Sequence, residues 1–295
     1  MRTLYFDCSM GAAGDMLSAA LIELMPDPDG FLGELNALGI PGVRFAKEVS
    51  VKCGITGTHM SVTVNGEEEE SLDHYEPMQE HSHEHSHDDS HNDSSVHSHD
   101  DSHDDGSVHS HDDSHSDSSV HSHDDSHSDS SVHSHGDAHT HSHDGGHAHS
   151  HSHHHSSLHD IEHIVRGHLA LPKKVQDDIM SVYGLIAEAE SHAHGIPVTE
   201  VHFHEVGAMD AIADITAVCL LMDRIAPDEV VVSPVHVGSG QVRCAHGILP
   251  VPAPATAYLL RDVPIYGGSI RGELCTPTGA ALLKHFAARF GSLPV

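Results

Sequence analysis

Leu4-Tyr5-Phe6-Asp7-Cys8-Ser9-Met10-Gly11-Ala12-Ala13-Gly14-Asp15-Met16 joins an apolar run to a glycine turn and the start of an amphipathic pattern. Leu4-Tyr5-Phe6 predicts a short buried strand ending at Asp7. Met16, Leu17, Ala20, Leu21 and Leu24 recur at helical spacing, which predicts a helix from Asp15 to Met25, stopped by Pro26 and Pro28. Strand, turn and helix in that order are the unit of an α/β protein. Working outward, Phe31 to Leu38 reads as a helix closed by Gly39. Val43 to Lys52 and Thr58 to Val64 read as strands of a hairpin about the turn Cys53-Gly54-Ile55-Thr56-Gly57. Further on, Leu158 to Gly167 and Pro172 to His194 read as helices, and a strand Thr199 to Val206 leads into a helix Ala208 to Ile225. A β-branched strand Glu229 to Val237 and a helix Ala255 to Arg261 follow. Thr276 as cap and Pro277 at the first helical position open a last helix, Thr278 to Phe290. The expected fold is α/β, a mixed sheet with flanking helices, interrupted by a long disordered His/Asp/Ser-rich insertion. Residues 1–75 and 158–295 are the two parts of its core, and 76–157 are the insertion.

Between His81 and His159 the chain packs 26 of its 37 histidines among Asp and Ser, with almost no apolar side chains. Val-His-Ser-His-Asp-Asp-Ser-His-Ser-Asp-Ser-Ser recurs there with a twelve-residue period, so that His97, His109 and His121 are equivalent, as are His99, His111 and His123. One valine per unit cannot build a solenoid core, and so polar a tract cannot offset the entropy of ordering, so disorder is expected. Neutral imidazole is the commonest protein ligand for Zn, Ni and Cu, so these six histidines are candidate metal ligands. Capture should weaken near pH 6, where imidazole takes up a proton and loses its lone pair.

The formal charge of −32 is unevenly spread. From Cys53 to Val165 there are 25 acidic residues and no Lys or Arg; the remainder, 20 acids against 13 bases, nets −7. No basic face for nucleic acid is expected. Five widely spaced cysteines without a Cys-x-x-Cys pair argue against a disulfide framework or cysteine-rich zinc site and fit a reducing compartment. The N-terminus meets a charge too early for a signal peptide, and no apolar run approaches membrane-spanning length. A soluble cytoplasmic protein without nucleic-acid or membrane partners is expected.

Val201-His202-Phe203-His204-Glu205-Val206-Gly207-Ala208-Met209-Asp210 is the leading candidate site. On a strand, His202 and His204 share a face with α-carbons roughly 6.5–7 Å apart, close enough for one metal. Glu205 then faces away unless the strand ends there. Asp210 and Asp214 lie one turn apart on the next helix. Solvent-facing histidines and dipole-favoured acids are the plain alternative. Asp7 and Asp15 flank the first glycine turn, whose N–H groups could hold phosphate or carboxylate, although it is neither a P-loop nor G-x-G-x-x-G. Ser233 to Gly247 carries His236, Arg243, Cys244 and His246, a metal or anion set or simply a buried Cys and a surface ion pair. Thr276 and Thr278 offer hydroxyls for a phosphate, or only a helix cap.

Taken together, Asp7-x-Ser9-x-Gly11-x-x-Gly14-Asp15-Met16, His202-Phe203-His204-Glu205-Val206-Gly207-Ala208-x-Asp210, Cys244-Ala245-His246-Gly247 with Leu249-Pro250-Val251-Pro252-Ala253-Pro254-Ala255-Thr256, and Thr276-Pro277-Thr278-Gly279-Ala280 resemble the LarC family of nickel-insertion proteins. The four segments stand in the family's order, with a His-rich insertion at the family's place. The resemblance implies a nickel-inserting cyclometallase of lyase or chelatase type. Its substrate is pyridinium-3,5-bisthiocarboxylic acid mononucleotide, and it uses CTP with Mg2+ or Mn2+. Forming two Ni–S bonds and one Ni–C bond expels a ring proton, so a carboxylate or His base is needed, and Asp7, Asp15, Glu205 and Asp210 are the candidate catalytic residues. Ser9, Gly11, Gly14, Arg243, Thr276 and Thr278 are the candidate cofactor-binding residues. His202, His204 and His246 are the candidate core ligands of Ni2+, with the tract gathering it. Full-length members continue into a C-terminal domain associated with CTP, in some joined by a frameshift; here the sequence stops at Val295, where that domain is expected to begin, so a separate C-terminal domain is an expected partner. A homo-oligomer is also expected. The rivals are a nickel or zinc storage protein or metallochaperone without catalysis and, more remotely, a metal-dependent hydrolase using Asp7, His202 and His204.

Overall fold

Strand β1 (Thr3–Phe6) runs into the glycine turn, and helix α1 (Gly14–Ile22) leaves it. The computed structural model describes residues 1–68 and 156–292, which belong to one unit over Met1–Pro77 and Ser150–Val295. The histidine repeats, including His97, His99, His109, His111, His121 and His123, lie outside the described residues. In chain order the elements after α1 are α2 (Pro28–Ala37), β2 (Val43–Lys52), β3 (Ile55–Val64) and β4 (Glu67–Glu68). After the tract come β5 (Ser156–Ser157), α3 (Leu158–Gly167), α4 (Lys173–His194), β6 (His202–Phe203), α5 (Met209–Ile225) and β7 (Glu229–Val232). The rest are β8 (Val235–His236), β9 (Gly238–Ser239), β10 (Gln241–Cys244), β11 (Gly247–Pro250), α6 (Pro254–Leu259), β12 (Ile265–Tyr266), β13 (Gly272–Glu273), α7 (Pro277–Phe286) and β14 (Arg289–Phe290).

The fold is mixed α/β, but the single mixed sheet expected from the strand–helix alternation is replaced by six small sheets among the described residues. β1 and β14 flank β7, all parallel, and Val230, Val231 and Val232 of β7 are buried as a strand covered on both faces requires. The continuous strand expected from Glu229 to Val237 breaks at Ser233-Pro234, where Pro234 has no N–H to donate, and β8 pairs with β12 instead. The last helix stops at Phe286, short of Phe290, because the chain returns to the sheet: Ala288 N–H donates to the Val230 carbonyl (2.9 Å) and Gly291 N–H to that of Val232 (2.8 Å). Thr276 does cap that helix, accepting from Gly279 N–H at 3.2 Å.

The β2–β3 hairpin is longer than expected and its turn shorter. Cys53 and Gly54 alone turn the chain, with φ of 51° and 79°, the left-handed pair a two-residue hairpin turn demands. Phe45, Met60 and Val62 bury the hairpin's inner face. The tract's C-terminal boundary moves as well. Ser156 and Ser157 pair with Phe203 and His202, and Ser157 forms a capping box with Asp160 at the start of α3. Helix α5 is the core element: from Ala211 to Met222 every residue but Asp214 is buried, so it has no solvent face. Two carboxylates on such a helix need an explanation, and they mark the site. No helix among the described residues is long and apolar enough to cross a membrane.

Candidate functional site

A cavity of about 610 Å³ opens beside the start of α5. The first turns of α1, α5 and α7 all contribute to its wall, through Gly14 and Asp15, Asp210 and Ala211, and Pro277 and Thr278. Helix N-termini carry the positive end of the peptide dipole, so this wall favours negative charge. Backbone packing brings α1 and α7 together: Ala12 N–H donates to the Leu274 carbonyl (2.9 Å) and Thr276 N–H to that of Ala12 (3.0 Å). Gly279 has no room for a side chain there, since a Cβ would lie 2.1 Å from the Ala12 oxygen.

Seven carboxylates line the cavity (Asp15, Glu68, Glu190, Glu205, Asp210, Asp214 and Glu273) against one guanidinium, Arg243. Asp214 occupies the N-terminus of α1: its carboxylate accepts from Asp15 N–H, and Gly14 is glycine because a Cβ would lie 2.7 Å from the Asp214 side chain. Asp210 and Asp214 each keep one buried oxygen without a hydrogen-bond partner. Burial first, then the neighbouring Asp15 and Asp210, raise the Asp214 carboxyl well above its ordinary range. The folded protein therefore holds a proton there that the unfolded chain releases at lower pH, so Asp214 costs stability increasingly as pH rises from the ordinary carboxylate value toward the folded one. Asp214→Asn should accordingly raise Tm more at pH 7 than at pH 4. Equal shifts at both pH values in paired thermal melts would contradict this.

Imidazoles line the same cavity, those of His59, His194, His204 and His246. His204 and His246 have ring centroids 4.7 Å apart, and His194, the last residue of α4, lies 4.9 Å from His246 and 6.4 Å from His204. His194 Nε2 is 3.4 Å from Glu190 Oε2, one helical turn earlier. Burial lifts the Glu190 carboxyl above its usual range, and His194 and His246 partly offset this. Glu205 Oε1 accepts from Ala245 N–H at 2.9 Å, tying the tip of the β10–β11 hairpin to the turn after His204. Among the described residues, no three His, Cys, Asp or Glu side chains hold their donors around a common point as they stand.

Of the residues expected from sequence, Gly14, Asp15, His204, Glu205, Asp210, Arg243, His246, Thr276 and Thr278 line this cavity, while Asp7, Ser9, Gly11 and His202 do not. The expected common face of His202 and His204 is lost because the strand ends at Phe203. A 3₁₀ turn over Glu205–Gly207 folds back so tightly that a Cβ on Gly207 would lie 2.6 Å from that of Phe203. His202 stays on β6 opposite Ser157, and Glu205 reaches the cavity with His204. Asp7 closes a local turn, accepting from Ser9 N–H at 3.0 Å. Gly11 packs against Leu274, and the Thr276 and Thr278 hydroxyls lie 2.9 Å from each other. His194 and Glu190, which sequence reasoning does not single out, carry one signal in the sequence, a Glu-x-x-x-His spacing at the end of a helix.

The chain matches the family described as "Nickel insertion protein" over residues 4–295. A Clostridium acetobutylicum protein named pyridinium-3,5-bisthiocarboxylic acid mononucleotide nickel insertion protein is 38% identical over 291 residues, covering 98% of this chain and 57% of that protein. A Clostridium kluyveri protein of the same name is 35% identical over 298 residues, covering 99% and 55%. One from Desulfitobacterium hafniense is 46% identical over 137 residues, covering 46% and 34%. The chain thus spans just over half the length of the two clostridial relatives. No solved structure matches it.

Proposed function

This chain belongs to the nickel insertion protein family, and from that premise we propose that it inserts nickel into pyridinium-3,5-bisthiocarboxylic acid mononucleotide, in a CTP-dependent cyclometallation. The observation that carries the reading is one cavity lined by imidazoles, carboxylates and three helix N-termini, in a chain matching the family over residues 4–295. His204 and His246 are the core donors for the Ni2+ substrate. The ligand's phosphate suits the α7 N-terminus with Thr276, Thr278 and Arg243. Asp210, Asp15 or Glu205 takes the ring proton as the Ni–C bond forms. Asp15, Asp210 and Asp214 are the oxygen donors that fit Mg2+ or Mn2+, and two of them keep a buried oxygen without a partner. A hard ion there would neutralise phosphate charge.

The histidine tract supports a separate task, gathering nickel for the cavity. Its composition alone also favours the second reading, a nickel or zinc store or metallochaperone without chemistry. Mass spectrometry of the pincer precursor after incubation with the chain, Ni2+, Mg2+ and CTP, with and without a supplied C-terminal domain, separates the two. Nickel in the product under either condition supports insertion, and none under both supports storage. Deleting residues 76–155, which spares the Ser157 cap, should lower the number of nickel ions held per chain several-fold yet leave insertion at saturating nickel unchanged. Loss of insertion at saturating nickel would refute this division of labour.

A further inference from the structure

His194, His204 and His246 come from three separate elements: the end of α4, the turn after β6 and the turn between β10 and β11. All three are exposed, at the ends of elements. Imidazoles bound to one ion through bonds of about 2.1 Å place their ring centroids about 4.5 Å apart when cis and about 6.4 Å apart when trans. The observed 4.7, 4.9 and 6.4 Å fall in that interval. The donors do not share one point as they stand among the described residues, so binding requires the rings to turn.

Glu190 supplies an independent sign. Facing His194 Nε2, it favours the tautomer with a proton on that nitrogen and leaves the Nδ1 lone pair for an ion, the usual arrangement behind a metal-bound histidine. A fourth donor is at hand. Cys244 lines the same cavity, two residues before His246, in the hairpin whose tip Glu205 pins beside His204. The other cysteines are differently placed: Cys8, Cys219 and Cys275 are buried, and Cys53 is in the β2–β3 turn. Burial pushes the Cys8 and Cys275 thiols up to about 11 and about 12, holding them neutral.

We propose that His194, His204, His246 and Cys244 together take up one Ni2+ in the cavity, with Glu190 positioning His194. This deepens the nickel-insertion reading and rests on it for the metal's identity. Binding exchanges the Cys244 S–H bond for an S–Ni bond and releases that proton to solvent. The seven carboxylates that line the same cavity raise the local concentration of cations, so the site can take nickel from solvent or from the tract and hold it for insertion.

The test uses the full chain and Ni2+ alone. Residues 69–155 contain no cysteine, so a thiolate-to-nickel charge-transfer absorption reports on the core even while the tract takes up other ions. The band should saturate at one ion per chain, vanish in Cys244→Ser and persist in Cys53→Ser. His194→Ala, His204→Ala and His246→Ala should each shift it and weaken binding at least tenfold, and Glu190→Gln should weaken binding about tenfold. No band in the unmodified chain, a band unchanged in Cys244→Ser, or one untouched by all three histidine changes overturns the proposal. A band without insertion activity keeps the site and discards the insertion reading. Undiminished insertion at limiting nickel in Cys244→Ser and His194→Ala discards the site and keeps that reading.

Discussion

If the chain inserts nickel as proposed, Asp210→Asn is expected to lower insertion by about 10²- to 10⁴-fold and to leave both the fold and nickel capture in place. The expectation rests on where Asp210 stands. It opens α5, a helix otherwise buried from Ala211 to Met222 apart from Asp214, and one of its oxygens is buried at the cavity without a partner. A polar group left so in a core is expensive and is retained where something binds or reacts against it. Asparagine keeps the shape and polarity of the side chain and removes only its capacity to accept a ring proton or face a cation. Single-turnover mass spectrometry of the pincer product, with the full complement of Ni2+, Mg2+, CTP and C-terminal domain, reads the effect. Insertion at the unmodified rate would remove Asp210 from the chemistry and return the base to Asp15 or Glu205.

Gly11→Ala has the largest expected effect on stability, about 4 kcal/mol from strain and overlap together. Gly11 has φ of 88°, and a Cβ there would lie 1.8 Å from the Leu274 carbonyl oxygen. Backbone must therefore move, and the backbone in question is that which joins the starts of α1 and α7 through Ala12, Leu274 and Thr276. For a folded part of this size the loss is roughly 8–16 °C in Tm. Gly39→Ala is the matched control: φ is 72°, but nothing lies within 4 Å of its Cβ, so only the left-handed backbone is strained, costing about 1–2 kcal/mol. Equal losses in the two variants would show that the Leu274 contact contributes nothing. The family motif's Gly11 and Gly14 thus have a steric explanation, close approach of Leu274 and of Asp214, where the sequence had suggested phosphate contact.

Which parts were legible in advance follows from the range of the interactions involved. Leu158–Gly167 and Val43–Lys52 match expectation end to end, and Thr276 caps the last helix ahead of Pro277 as expected. Those elements are decided by side-chain periodicity, caps and turns acting over a few residues, all of which can be read along the chain. The strand expected at Thr199 to Val206 failed for a nonlocal reason. Its alternation was adequate, but Gly207 closing on Phe203 and the pairing of β6 with β5 across the whole insertion left only His202–Phe203 extended.

By itself the sequence determined the α/β class, the histidine-rich tract, most of the helices and the motif segments that identify the family. Each of these is either a composition or a pattern of near neighbours. Only the tertiary structure decided which side chains share a cavity. It removed His202, Asp7 and Ser9 from the wall, brought in His194 and Glu190, and set Asp214 against Gly14 at the start of α1. His194 meets His246 because α4 ends where the β10–β11 hairpin is held by Glu205, a contact across forty residues between Glu205 and Ala245. Such a meeting depends on how buried surfaces of distant elements fit, which local propensity does not encode.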